Sequence, residues 1–294
     1  MQVTATMVKE LRDRTEAGFM DCKNALVASD GDMDKAIDWL RKKGISKAIK
    51  KEGRVAAEGI AKIIAEGNTA LLVEMNSETD FAANNVHFVE LVDAVSKAIF
   101  EKKPENVEAA LEMKVNNGTL KDLITDATAI INEKLSLRRF QFITKADDEE
   151  FGLYTHMNKQ VVAVSVVKPQ DAQLAKNIAM QVASMSPTYV SEDQMPSDLV
   201  AHEKEIQTAL MKNDPSNANK PQAILDKMLA GKVSKSLKEM CLVDQEFIFD
   251  NSQKVGAYLK ENKATVIKFA RYHVGEGIEK KVECYAEEVA KVFG

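Results

Sequence analysis

Apolar residues recur at three- and four-residue spacing through the first 44 positions, which predicts three short helices. Thr4 is placed to cap a first helix carrying Met7, Val8 and Leu11. A break at Ala17-Gly18 leads to a second helix with Met20, Ala25 and Leu26. Asp30-Gly31-Asp32 makes the next turn, and Met33, Ala36, Ile37 and Leu40 stripe a third helix that Gly44 is expected to end. A basic stretch follows, with Arg41, Lys42, Lys43, Lys47, Lys50, Lys51 and Arg54 relieved only by Glu52. No aromatic residue is interleaved there for base stacking, so a solvated linker helix is preferred to a phosphate-binding patch.

The period changes after Ala57. Gly59 to Ala65, a turn at Gly67-Asn68 and Thr69 to Met75 predict a β-hairpin, followed by a helix with Val89, Val92, Val95 and Ile99 on one face. The order recurs in Leu153 to Met157, a turn near Asn158-Lys159, Gln160 to Val167, and a helix with Leu174, Ile178, Val182 and Met185. Hairpin then helix, twice, about 90 residues apart, suggests two similar units by internal duplication. A helical tract from Val107 to Leu135 and a strand from Arg138 to Thr144 would complete the first. Between Glu192 and Met240, Leu199, Ile206 and Leu210 could face Ile224, Met228, Val233 and Leu237 across a projecting antiparallel helical hairpin. Whether that arm packs on its own domain or on a second copy is left open by the sequence.

The expected fold class is therefore α+β. Residues 1–54 form an N-terminal three-helix bundle and linker, a unit marginally stable by size that resembles the ubiquitin-associated type of binding module. Residues 55–145 and 146–279 form two related α+β subdomains, each with antiparallel strands and helices. The second carries the helical hairpin at about 191–240, and residues 280–294 form a C-terminal helical module.

Of the 294 residues 45% are hydrophobic, 29% charged and only 6% aromatic, with a single tryptophan, Trp39, so the core must be mainly aliphatic. A net charge of −5 argues against a general nucleic-acid binder. Cys22, Cys241 and Cys284 form no C-x-x-C pair and suggest reduced thiols. Met1 to Thr6 shows no basic leader before an apolar run, and the apolar stretch Val161 to Val167 is far short of the roughly 20 residues that span a bilayer. A soluble cytoplasmic protein without membrane contact is expected.

Chemistry-bearing patterns are sparse. There is no phosphate-binding G-x-x-x-x-G-K-[ST] loop, and Gly275-Glu276-Gly277 is more simply a turn. His87, His156, His202 and His273 are scattered without metal-ligand spacing, so neither a metal nor a cofactor is expected. Asp147-Asp148-Glu149-Glu150 reads as a solvated loop. Cys22 shares its helix with Met20 and Leu26 and reads as a small buried hydrophobe before it reads as a nucleophile.

The informative segment is Glu74-Met75-Asn76-Ser77-Glu78-Thr79-Asp80-Phe81-Ala82-Ala83-Asn84, which leaves a strand and enters a loop where Thr79 or Asp80 could cap a helix. Asp80 as a cap and Phe81 as a core residue would be the ordinary arrangement. An acidic and a large apolar residue side by side at such a junction are, however, hard to bury together. E-x-N-x-x-T-D-F also closely resembles a signature of the elongation factor Ts family. Val8 to Lys23 is similar to the family's L-R-x-x-T-G-A-G-x-x-D-C-K, and His273-Val274-Gly275-Glu276-Gly277 resembles its closing V-G-E-G pattern. Glu16, Phe19 and Ala82 depart from the usual glycine, methionine and valine.

The resemblance implies a non-enzymatic guanine nucleotide exchange factor whose partner is the GDP form of elongation factor Tu, with no catalytic residue of its own. It implies that Thr79, Asp80, Phe81 and Ala82 form a wedge that pushes between helices of the partner's GTP-binding domain and dislodges its Mg²⁺. It further implies that Arg12, Phe19 and Met20 dock the N-terminal bundle, that His156 touches the partner from the second subdomain, and that Lys280 to Val292 adds a terminal arm. Dimerisation of the complex through the second subdomain is compatible with it. The rival is a plain adaptor or chaperone module, and an enzyme using Cys22 comes third.

Overall fold

The computed structural model describes residues 3–15, 17–115, 118–217 and 220–279. Glu16 and the expected C-terminal module at 280–294 lie outside the described residues. The N-terminal unit consists of α1 (Ala5–Thr15), α2 (Phe19–Ala28) and α3 (Met33–Lys51). Met7 N–H donates to Thr4 Oγ1 at 3.3 Å, and Lys35 N–H donates to Asp32 Oδ1 at 3.0 Å, so two short polar side chains start α1 and α3. Val8, Leu11, Cys22, Ala25, Leu26 and Ala36 form the core, with Ile37, Trp39 and Leu40 packed around them.

Gly44 does not end α3, which continues to Lys51. A Cβ there would sit 3.0 Å from Ala129 Cβ on the helix opposite. The missing side chain is what lets α3 lie close against the next unit. The basic stretch from Arg41 to Lys51 is therefore the C-terminal part of α3, and Arg54 follows just past it.

The next unit opens with β1 (Glu58–Glu66) and β2 (Thr69–Ser77), antiparallel across Gly67-Asn68. It continues through α4 (Asp80–Ala83), α5 (Val86–Lys102) and α6 (Val107–Leu111). The expected single helical tract is then interrupted by β3 (Lys114–Val115) and β4 (Gly118–Thr119) before α7 (Leu120–Ile131) and β5 (Ser136–Thr144). A reciprocal cap starts α7: Asp122 N–H donates to Thr119 Oγ1 at 3.1 Å, and Thr119 N–H donates back to Asp122 Oδ2 at 2.8 Å.

The second α+β unit starts with β6 (Glu150–Thr155), β7 (Val161–Lys168) and α8 (Ala172–Met185). The arm follows as α9 (Ser197–Lys212) and α10 (Gln222–Glu239), then β8 (Glu246–Phe247), β9 (Asp250–Lys254), α11 (Val255–Glu261) and β10 (Thr265–His273). Leu199 and Val233 pack at the arm's root around Leu237 and Cys241, whereas Ile206, Leu210 and Ile224, expected in the seam, are exposed. No helix among the described residues is long and apolar enough to cross a membrane.

Both three-stranded sheets share one topology: a hairpin whose second strand is central, with a later strand returning antiparallel beside it, giving the orders β1-β2-β5 and β6-β7-β10. Both central strands are buried on two faces. Leu71, Val73 and Met75 meet α5 and α7 residues, while Ala70 and Leu72 meet Val162, Val164 and Val166 of the other sheet. Ala163 and Val167 turn instead to α8 and α11 residues. The result is helix, sheet, sheet, helix, and it explains why both strands read as nearly continuous apolar runs.

One charge sits between the sheets. Glu74 is 0% exposed, on the same face of β2 as Leu72. A register shift opposite Glu74 pairs it with Arg139 and its neighbour Met75 with Leu137, leaving Arg138 as an extra residue. That bulge lets two successive arginines reach one carboxylate: Arg138 Nη1 at 2.8 Å, and Arg139 through Nε. Gly275 N–H completes the shell at 2.9 Å, tying the turn after β10 to the first sheet. Gly275 has φ +76°, and a Cβ there would meet Ala57 O at 2.2 Å, so the close approach requires glycine. Replacing both Arg138 and Arg139 by alanine strands a buried carboxylate, and urea unfolding is expected to show a loss of about 3–5 kcal/mol. A loss under about 1 kcal/mol would mean that water already solvates Glu74.

Candidate partner-binding site

β2 ends at Ser77, and the chain turns into the four residues of α4. Thr79, extended at φ −127°, caps that helix by accepting the Ala82 N–H at 3.2 Å. Ala82 and Ala83 are buried on the inner side of the tip, while Asp80 and Phe81 project outward. Phe81 is 85% exposed, so it is not the core residue of the ordinary reading. The alanine at position 82 leaves the tip anchored by small side chains.

The tip is held from a distant part of the chain. Thr79 N–H and Oγ1–H donate to the two oxygens of Glu133 at 2.9 and 2.7 Å. Glu78 accepts from Lys134 N–H at 2.6 Å and pairs with Arg54 at 3.1 Å. Ser77 Oγ donates to Thr79 O, and Asn84 Nδ2 to Asp80 O, both at 2.9 Å. These bonds hold the chain on both sides of the turn, and with them the projection of Phe81.

The T-D-F and V-G-E-G motifs, separate in sequence, meet with the β6–β7 turn at one end of the paired sheets. Glu58 pairs with Ser77, Asn76 with Ser136, and His273 with Val161. The β6–β7 turn leans on the first sheet: Ala61 N–H donates to Lys159 O at 2.8 Å, and Gln160 Nε2 to Glu58 Oε2 at 3.1 Å. His156 is exposed in that turn, with Nδ1 2.9 Å from Tyr154 Oη. Its neighbour Met157, which sequence reasoning passed over, is 94% exposed. An apolar residue next to Asn158-Lys159 in a tight turn was the available signal.

Arg12, Phe19 and Met20 stand on the N-terminal bundle. Arg12 is exposed on α1, and Phe19 and Met20 are 49% and 60% exposed at the start of α2. Val27, two turns beyond Met20, extends that face and was also missed. Cys22 faces the other way, into the core; burial pushes its thiol above the ordinary range, the wrong direction for a nucleophile.

A family model described as elongation factor TS matches residues 78–276. The chain belongs to the elongation factor Ts family. The match runs from Glu78 at the tip to Glu276 in the turn after β10. A relative from Pediococcus pentosaceus named elongation factor Ts is 46% identical over 99% of both chains. Relatives of the same name from Limosilactobacillus reuteri and Leuconostoc mesenteroides are 47% identical over 98% and 48% identical over 100% of both chains.

The Thr79 hydroxyl both caps α4 and donates to Glu133, so Thr79→Val removes both contacts at nearly constant volume. With about 1–2 kcal/mol lost at the cap, amide exchange at Ala82 and Ala83 is expected to quicken roughly 5- to 30-fold. Unchanged protection would show that the alanines alone hold the tip.

Proposed function

We propose that the protein is a guanine nucleotide exchange factor in translation elongation: it binds elongation factor Tu in its GDP form and speeds release of the nucleotide. The observation that carries this reading is Phe81, 85% exposed beside Asp80 on a braced tip. A ring held in water is a ready anchor for a partner groove, where full burial is worth about 1.5–3 kcal/mol. Membership of the elongation factor Ts family supports this choice of partner, and the T-D-F tip supplies the means.

The tip acts as a wedge. Phe81 enters between helices of the partner's GTP-binding domain and draws its binding energy from apolar burial. Asp80 arrives with it and sets a carboxylate close to the partner's Mg²⁺ and phosphates, where it repels the phosphate charge and competes for the metal. Loss of that metal uncovers phosphate charge that the protein no longer neutralises. GDP then leaves faster. The bundle face bearing Arg12, Phe19 and Met20, together with His156, grips the same partner, so that the wedge works from a held position.

Binding of the factor and binding of GDP must oppose each other equally, because coupling is reciprocal. A coupling of about 3 kcal/mol corresponds to roughly 150-fold weaker GDP binding. The factor thereby sets the rate of exchange, and the relative supply of GTP and GDP sets its direction.

Phe81→Ala is expected to slow stimulated release of fluorescent GDP about 10- to 150-fold, the equivalent of the lost burial. Asp80→Ala with Phe81→Ala should slow it further. Neither should move the urea midpoint, because both side chains are already in water. Wild-type rates in the double variant would leave only the adaptor reading, binding without exchange.

A further inference from the structure

We propose that Glu133 is a positioning residue for the wedge: reaching across from the turn between α7 and β5, its carboxylate sets the direction in which Asp80 and Phe81 project. This rests on the exchange-factor reading and adds a residue 54 positions beyond the tip.

A helix of four residues cannot hold its own direction, since one turn fixes several dihedral angles for very few internal hydrogen bonds. The orientation of α4 therefore comes from outside, through Thr79. The Thr79 hydroxyl has one proton and two lone pairs. Glu133 Oε1 takes the proton at 2.7 Å, which turns a lone pair toward the Ala82 N–H at 3.2 Å. Glu133 Oε2 takes the Thr79 N–H at 2.9 Å, fixing the backbone as well as the rotor. One carboxylate thus determines both halves of the cap.

The clasp is crossed. Glu78, the residue before Thr79, accepts from the N–H of Lys134, the residue after Glu133, at 2.6 Å. The turn that offers these groups is itself fixed. Asn132 ends α7 in the left-handed region at φ 64°, donating to Thr128 O at 3.0 Å, and Leu135 is buried just beyond. Lys134 Nζ donates to the carbonyls of Glu52 and Arg54 at 2.6 and 2.8 Å, so the same turn is bound to the chain just past α3. Position and direction therefore pass from the frame to the tip through Glu133.

The test measures stimulated release of fluorescent GDP from elongation factor Tu across factor concentrations. It uses Glu133→Ala and Glu133→Gln, each with Phe81 intact and in the Phe81→Ala background. With Phe81 intact, Glu133→Ala should lower the saturating rate about tenfold, while the half-saturating concentration, set by the other contacts, moves less than about twofold. Glu133→Gln keeps one acceptor oxygen but turns an NH₂ on the other donor, and should fall between. In the Phe81→Ala background, Glu133→Ala should add less than about twofold, because the tip has nothing left to aim. If Phe81→Ala slows release and Glu133→Ala does not, or if Glu133→Ala slows it equally in both backgrounds, the positioning role is overturned. If Phe81→Ala has no effect, the wedge itself fails, and the role of Glu133 with it.

Discussion

Phe81 forgoes roughly 1.5–3 kcal/mol by standing in water, and the structure permits this only because the ring has no way inward. Ala82 and Ala83 occupy the inner side of the tip, and Thr79 is held at both its N–H and its hydroxyl. A loop free to relax would fold the ring against its own sheet. The projection of Phe81 is thus a consequence of rigidity at the base of the tip more than of the residues at its point.

That rigidity comes from the paired sheets. Burying β2 and β7 on two faces each gives a frame with little room to shear. The Glu74 carboxylate adds specificity to this apolar contact. With Arg138, Arg139 and Gly275 N–H around it, the turn after β10 has one seat on the first sheet. The T-D-F tip, the β6–β7 turn and the V-G-E-G turn come to one end because the strands that carry them are locked in register.

Much of this was legible along the chain. Both hairpins and the helices after them followed from local period and turn residues, and the exposure of Phe81 was anticipated from the difficulty of burying it beside Asp80. What escaped was decided by distant partners. Gly44 carries the mark of a helix stop, yet its role is set by Ala129 on a facing helix. β10 was missed because a register shift between Val266 and Lys268 breaks its alternation. Glu74 looked like one more letter of a motif, since nothing nearby reveals that Arg138 and Arg139 share its face. Glu133 has no local signal at all; only the fold places it against Thr79. The family resemblance pointed to the tip without indicating what holds it.

If the wedge works by dislodging the partner's metal, its advantage must vanish when the metal is already gone. The direct measurement is stimulated GDP release from elongation factor Tu by wild-type and Phe81→Ala factor, with free Mg²⁺ first at millimolar level and then chelated. Displacement predicts a wide gap between the two factors with Mg²⁺ present, closing to within about twofold once it is removed. A gap that stays equally wide without Mg²⁺ would contradict it, leaving Phe81 as an anchor with no action on the metal.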